Sequence, residues 1–310
     1  MQQYLSCSRV KVNHSVAIAC AAGGFKGAFI HGVLSAFEEA GIKADAYGAG
    51  SSSVIPSALA AIGQINDIDL DYWLTGFKLL KQSDYGMSQI IKQGINHFHA
   101  KIVKQLFEPG KPRFFIATSA VITSKAAKQT QSPQARRLGR CLLVDAIKKD
   151  RSWVEQHLEL VLFDSANSSS ERHLVKNNFH EVAYASTRML HAWDIPAWIA
   201  GRPYVDAAYT CLCPAIEMVK HGYQKVIAIA TQPGILYRDI FQLETIPAQY
   251  QGIPIDIIKP DIDPQELGVD ITKATPEGLA NIYQHGKKKA REFLVKLDTE
   301  GFQLPGYNAD

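Results

Sequence analysis

The chain has 310 residues, 46% of them hydrophobic and 20% charged, with a formal net charge of +3. That is apolar mass enough for one substantial core, and it excludes a disordered or fibrous chain. The charge surplus leaves no footprint for nucleic acid. The one basic run, Lys287, Lys288, Lys289 and Arg291, reads as the solvated face of a helix.

The five cysteines, Cys7, Cys20, Cys141, Cys211 and Cys213, are odd in number and form no C-x-x-C pair. This argues against a disulfide framework and for a reducing, cytoplasmic compartment. Cys211 and Cys213 lie two apart, as on one face of a strand, but no histidine cluster accompanies them, so neither a metal nor a cofactor is expected. Met1–Val12 has no apolar run long enough for a signal peptide, and no segment approaches the roughly 20 apolar residues of a membrane span.

In chain order, the run SVAIAC at 15–20 reads as a buried strand ending at Gly23-Gly24. Residues 26–40 carry Phe29, Ile30, Val33, Leu34 and Phe37 at helical spacing, with Gly41 as the stop. A second strand over 45–50 runs into Ser51-Ser52-Ser53, and a helix over 53–62 follows. Further strands are expected at 113–118, 158–163, 225–231 and 254–258. Helices are expected at 68–80, 87–106, 141–156, 172–185, 214–221 and 276–297. The Ser/Lys/Gln-rich stretch 123–140 reads as an exposed loop. Short apolar strands alternating with helices predict a three-layer α/β/α fold with a mostly parallel central sheet, in a single domain over 1–310. Sites in such sheets form at the carboxyl ends of strands.

Three turns carry chemistry. Gly48-Ala49-Gly50-Ser51-Ser52-Ser53-Val54 joins a strand to a helix, as a nucleophile elbow does. Gly50 lies two before Ser52, and the helix aims its N–H groups at the site. Pro56 suits the first helical turn. A plain polar turn capping the helix explains the same serines. Ala21-Ala22-Gly23-Gly24-Phe25-Lys26-Gly27 exposes several N–H groups at a second helix N-terminus and reads either as an oxyanion cradle or as a tight βα turn; it has no phosphate-loop or dinucleotide pattern. The stretch 199–209 is a turn and a short strand ending in Asp206, followed by Ala207 and Ala208. A carboxylate hydrogen-bonded to a serine accepts its proton during attack, although a lone aspartate after a strand is commonly a turn residue.

Together these turns resemble the patatin-like phospholipases, whose pattern is a D-G-G-G-x-R-G loop, a G-x-S-x-G elbow and a late D-G/A aspartate. Ala21 to Gly27 with His31-Gly32-Val33-Leu34 is similar to the first, Gly50-Ser51-Ser52-Ser53-Val54 to the second, and Asp206-Ala207 to the third. Ala185-Ser186-Thr187 with Pro196 resembles the approach to that aspartate, and Gly286 between two helical stretches resembles the family's ending. The resemblance covers about residues 14–295. It implies a lipid acyl hydrolase of the phospholipase A type, with Ser52 as nucleophile, Asp206 as base and no catalytic histidine. Gly23, Gly24, Phe25, Lys26, Gly27 and Ser53 would bind the oxyanion, and Gly50 and Val54 would flank the elbow. The implied partner is a phospholipid or other lipid ester met in transient contact at a membrane surface. Lys26, Ala22 and Val54 depart from the family's arginine and two glycines. Two alternatives are a degenerate member that binds lipid or a partner without turnover, and a conventional Ser-His-Asp hydrolase.

An apolar lip near the site is expected from Trp193, Ile195, Trp198 and Ile199. The segment 77–107 mixes Lys78, Lys81, Lys92, Lys101 and Lys104 with apolar residues, as either a cationic lid or an ordinary amphipathic surface pair.

Overall fold

The computed structural model describes residues 15–68, 70–82, 86–168, 170–299 and 304–306. Met1–Val12 and Cys7 lie outside them. The order of elements is β1 (Val16–Cys20), α1 (Gly27–Glu39), β2 (Ala46–Gly50), α2 (Val54–Ala61), α3 (Asp71–Leu80) and α4 (Met87–Gln105). Next come β3 (Arg113–Val121), α5 (Ser124–Thr130), α6 (Ala135–Ile147), α7 (Ser152–His157), β4 (Leu158–Asp164) and α8 (Phe179–Thr187). The rest is β5 (Trp198–Ile199), β6 (Arg202–Val205), α9 (Ala215–Lys220), β7 (Lys225–Ile229), β8 (Gln249–Tyr250), β9 (Ile253–Ile258) and α10 (Pro276–Thr299).

The strands β3-β2-β1-β7-β9 are parallel neighbours, and β4, β5, β6 and β8 add antiparallel edges. β1 is buried along its whole length, as a strand covered on both faces must be. Its side chains alternate: Val16, Ile18 and Cys20 join the core under α1, α2, α8 and α10, while Ala17 and Ala19 join the core under α9. The fold is the expected α/β/α arrangement with a mostly parallel sheet.

α1 and α10 cross with their backbones touching. A Cβ on Gly32 would overlap the carbonyl oxygen of Tyr283, and one on Gly286 would overlap that of Phe29. Gly286 therefore does not separate two helices: α10 runs unbroken through it, and the glycine allows the close crossing.

Other expectations are corrected too. The 123–140 stretch is not a loop but α5 and the start of α6, with the Thr123 hydroxyl accepting from the Ala126 N–H as N-cap (3.3 Å). The helix expected over 141–156 is broken between α6 and α7, where Lys149 takes a φ of 57°. The helix expected from 172 starts only at Phe179. Cys211 and Cys213 sit in the turn before α9 rather than on a strand, in two different buried clusters.

β3 is longer than β2, and this positions the site. β2 pairs with Arg113–Ala117, so its last residue, Gly50, lies opposite Ala117. β4 occupies the other edge of β3, so β6 pairs Ser119 and Ala120 on the edge that β2 has vacated. The end of β6 thus meets the end of β2. Residues 51 and 206, far apart in sequence, emerge side by side.

Candidate active site

The residue that meets Asp206 is Ser51, not Ser52. Ser51 follows β2 with a φ of 56°, in the left-handed region that a non-glycine residue occupies at a cost of roughly 1–3 kcal/mol. Its hydroxyl donates to Asp206 Oδ2 at 2.9 Å. Its amide donates to Ser186 Oγ at 2.8 Å, and that hydroxyl donates to the carbonyl of Ala117 at 2.7 Å. Ser52 turns the other way. Its buried Oγ has no hydrogen-bond partner among the described residues, and a Cβ on Gly27 would sit 3.0 Å from it.

The elbow register therefore moves back by one. Ala49 and Ser53 take the two glycine positions of G-x-S-x-G, and Gly50 stands immediately before the turn residue. Val54 drops out of the elbow and begins α2, fully buried. Gly50 is in extended backbone, and a Cβ there would crowd that of Ala207 at 3.1 Å. Ser53 braces the turn: its hydroxyl accepts from the Gly50 N–H at 3.1 Å and donates to the Gly50 carbonyl at 2.8 Å.

Asp206 is held from every side. Its N–H donates to the Arg188 carbonyl (2.9 Å), its carbonyl accepts from Ser119 Oγ (2.7 Å), and Oδ1 accepts from the Ala208 N–H (2.8 Å). It is 1% exposed. Burial pushes its carboxyl up to about 7, and the bonds from Ala208 and Ser51 only partly offset that. Among the described residues no histidine hydrogen-bonds to Ser51 or Asp206. His31 Nδ1 instead accepts from the Trp73 indole at 3.0 Å.

The glycine turn touches the serine turn. Gly24 has a φ of 57°, and a Cβ there would overlap the carbonyl oxygen of Ile271. Three of the amides expected to face an oxyanion are already engaged. Phe25 N–H donates to the Ile271 carbonyl (3.1 Å), Lys26 N–H to the Gly23 carbonyl (3.2 Å), and Gly27 N–H to the carbonyls of Gly24 and Phe25. The amides of Gly23, Gly24 and Ser52 make no such bond among the described residues. With Ser51 at the elbow, the amide that follows it is that of Ser52 rather than Ser53. The Lys26 ammonium is buried 3.7 Å from Asp270 and so braces the segment that covers the turn.

Gly24, Phe25, Ser51 and Ser52 line a cavity of about 500 Å³ that residues of α3 and α4 also line. From the 77–107 stretch, Leu79 of α3 and Met87, Ile90, Ile91 and Phe98 of α4 thus line the same cavity as Ser51. Of the expected lip, Trp193 lines the cavity almost fully buried, Ile199 belongs to the core and Trp198 is 48% exposed. Sequence reasoning passed over the role of Ser186, although Ala185-Ser186-Thr187 carried part of the resemblance. Ile271 had no signal in the sequence.

No protein-family model and no curated protein matches the sequence. Among solved structures the chain is similar to VipD from Legionella pneumophila, at 11% identity and a TM-score of 0.46, covering 91% of this chain and 67% of that one. Among the described residues no helix is long and apolar enough to cross a membrane.

Proposed function

We propose that the chain is a lipid acyl hydrolase of the patatin-like type, in which Ser51 is the nucleophile and Asp206 the general base. The observation that carries this reading is the 2.9 Å bond between a strained elbow serine and a buried aspartate at the carboxyl ends of adjoining strands, beside an apolar cavity. Ser51 Oγ attacks the ester carbonyl as its proton passes to Asp206 Oδ2. The oxyanion that forms is met by the amides of Gly23, Gly24 and Ser52, which have no competing bond to give up. Asp206 then returns the proton to the departing alcohol, leaving an acyl ester on Ser51. Water repeats the sequence: it gives a proton to Asp206, attacks the acyl carbonyl and releases the carboxylic acid. The lining of the cavity suits the acyl part of a phospholipid or other lipid ester.

The test is labelling with a fluorophosphonate, located by peptide fragmentation, together with ester turnover. Label is expected on Ser51. Ser51→Ala should lower kcat at least about 1000-fold, while Ser52→Ala stays within about 10-fold of the parent. Because Asp206 must be ionised to accept the proton, kcat/KM should fall as pH drops below about 7. Label on Ser52, or full turnover by Ser51→Ala, overturns the assignment. A folded parent protein that is neither labelled nor active on any lipid ester fits instead a degenerate protein that binds lipid or a partner without turnover.

A further inference from the structure

Two glycines that the fold itself does not require line the cavity. Gly76 stands in the middle of α3 and Gly94 in the middle of α4, and both line the cavity. Glycine in a helix interior is disfavoured and usually answers to a close approach or a left-handed backbone. Neither applies here. A Cβ on Gly76 would stand 3.7 Å from the Phe25 ring and 3.9 Å from the Ile90 side chain, and one on Gly94 would stand 3.7 Å from the Tyr72 ring. Those are ordinary van der Waals separations, and neither residue has a positive φ. Gly32 and Gly286 are the opposite case, since a Cβ on either would overlap backbone.

α3 and α4 also turn their apolar seams toward this space. Tyr72, Gly76 and Leu79 follow helical spacing on one wall, as do Ile90 and Gly94 on the other. At the inner end lie Ser51 and the buried, unpartnered hydroxyl of Ser52. The lining is mostly apolar, with Asp67, Asp71, Gln93 and His97 as polar residues away from the two serines, and it matches an amphiphile with its ester group at Ser51 and its tail between the two helices.

We infer that Gly76 and Gly94 are specificity-determining residues that hold this slot open for one extended acyl chain. The inference rests on the reading of Ser51 as the group that takes the acyl. At about 30 Å³ per water-sized group, 500 Å³ has room for roughly sixteen methylene-sized groups, the scale of a long fatty acyl chain. Each methylene that enters should raise kcat/KM about 4-fold until the slot is full.

The experiment measures kcat/KM on p-nitrophenyl esters from acetyl to palmitoyl for the parent, Gly76→Ala, Gly76→Leu and Gly94→Leu. Binding of the fluorescent fatty acid cis-parinaric acid is measured on the same proteins. Gly76→Leu, which adds four carbons, should shorten the preferred chain by about four carbons, cut the palmitoyl-to-butyryl ratio at least 10-fold and weaken parinarate binding at least 10-fold. Gly76→Ala should shift the preference in the same direction by one or two carbons while Tm rises by roughly 1–3 °C, because alanine favours the helix. That pairing separates slot filling from a damaged fold, and it decides the matter should Gly76→Leu fail to fold. An unchanged chain-length profile together with unchanged parinarate binding in the folded variants overturns the inference. If the parent hydrolyses no ester but binds parinarate, and Gly76→Leu weakens that binding, the hydrolase reading fails and the slot stands.

Discussion

The glycine turn and the serine turn leave neighbouring parallel strands and adopt nearly the same backbone angle, with φ 57° at Gly24 and 56° at Ser51. They use it for opposite ends. At Gly24 a side chain is excluded, because the Ile271 carbonyl lies where Cβ would be. The turn can then present bare amides. At Ser51 a side chain is required, and the strain of carrying it is balanced by Ser186 on its amide, Ser53 across the turn and Asp206 on its hydroxyl. The same backbone angle thus marks, at Gly24, a place with no room for a side chain and, at Ser51, a place where one is held in tension.

Substitutions can break this contrast, and the largest effect is expected at the glycine turn. Gly24→Ala must displace Ile271 and should cost roughly 3–5 kcal/mol in urea unfolding. A loss below 1 kcal/mol would mean that the 269–273 segment does not hold the turn. Next is Asp206→Asn, which keeps an acceptor for Ala208 and a polar partner for Ser51 but removes the buried charge. The folded carboxyl titrates near 7, above its ordinary value of 3.8. The parent therefore loses stability as pH rises from about 4 to 7 and is level beyond, because the unfolded chain releases its proton first. The asparagine variant lacks this slope and should be more stable by roughly 2–4 kcal/mol at pH 8, with the advantage shrinking toward pH 4. Parallel Tm curves for the two proteins from pH 5 to 8 would show that the carboxyl is not desolvated. The smallest effect compares two inactive proteins: Ser51→Gly relieves the strain that Ser51→Ala retains and should be the more stable by about 1 kcal/mol. Equal stability would remove the strain from the account.

The sequence made the three turns legible because glycines, small residues and strand ends mark them locally. It did not decide among three consecutive serines. Each follows Gly50 closely enough for an elbow, and the choice is made by where β6 joins β3, a pairing between residues that the chain does not bring near each other. That the Phe25 amide is engaged was hidden for the same reason, since the Ile271 carbonyl that accepts from it lies far along the chain. Composition misled at 123–140, where polar residues suggested a loop. Ala135 and Leu138 in that stretch continue at helical spacing into Leu142 and Ala146 beyond it, and were the available signal.

The dependence on Ile271 has a consequence in time. In the order of synthesis β1, both turns and β2 are complete by Ser53, yet β7, β1's partner on its other edge, begins only at Lys225. Asp206 and then Ile271 follow far behind the segments they complete. At about 5–20 residues per second, the nascent chain carries both turns for tens of seconds or less without their partners. The Ser51 hydroxyl and the Gly24 turn gain these contacts only when Asp206 and then the segment around Ile271 have docked, so the two turns are set late in synthesis.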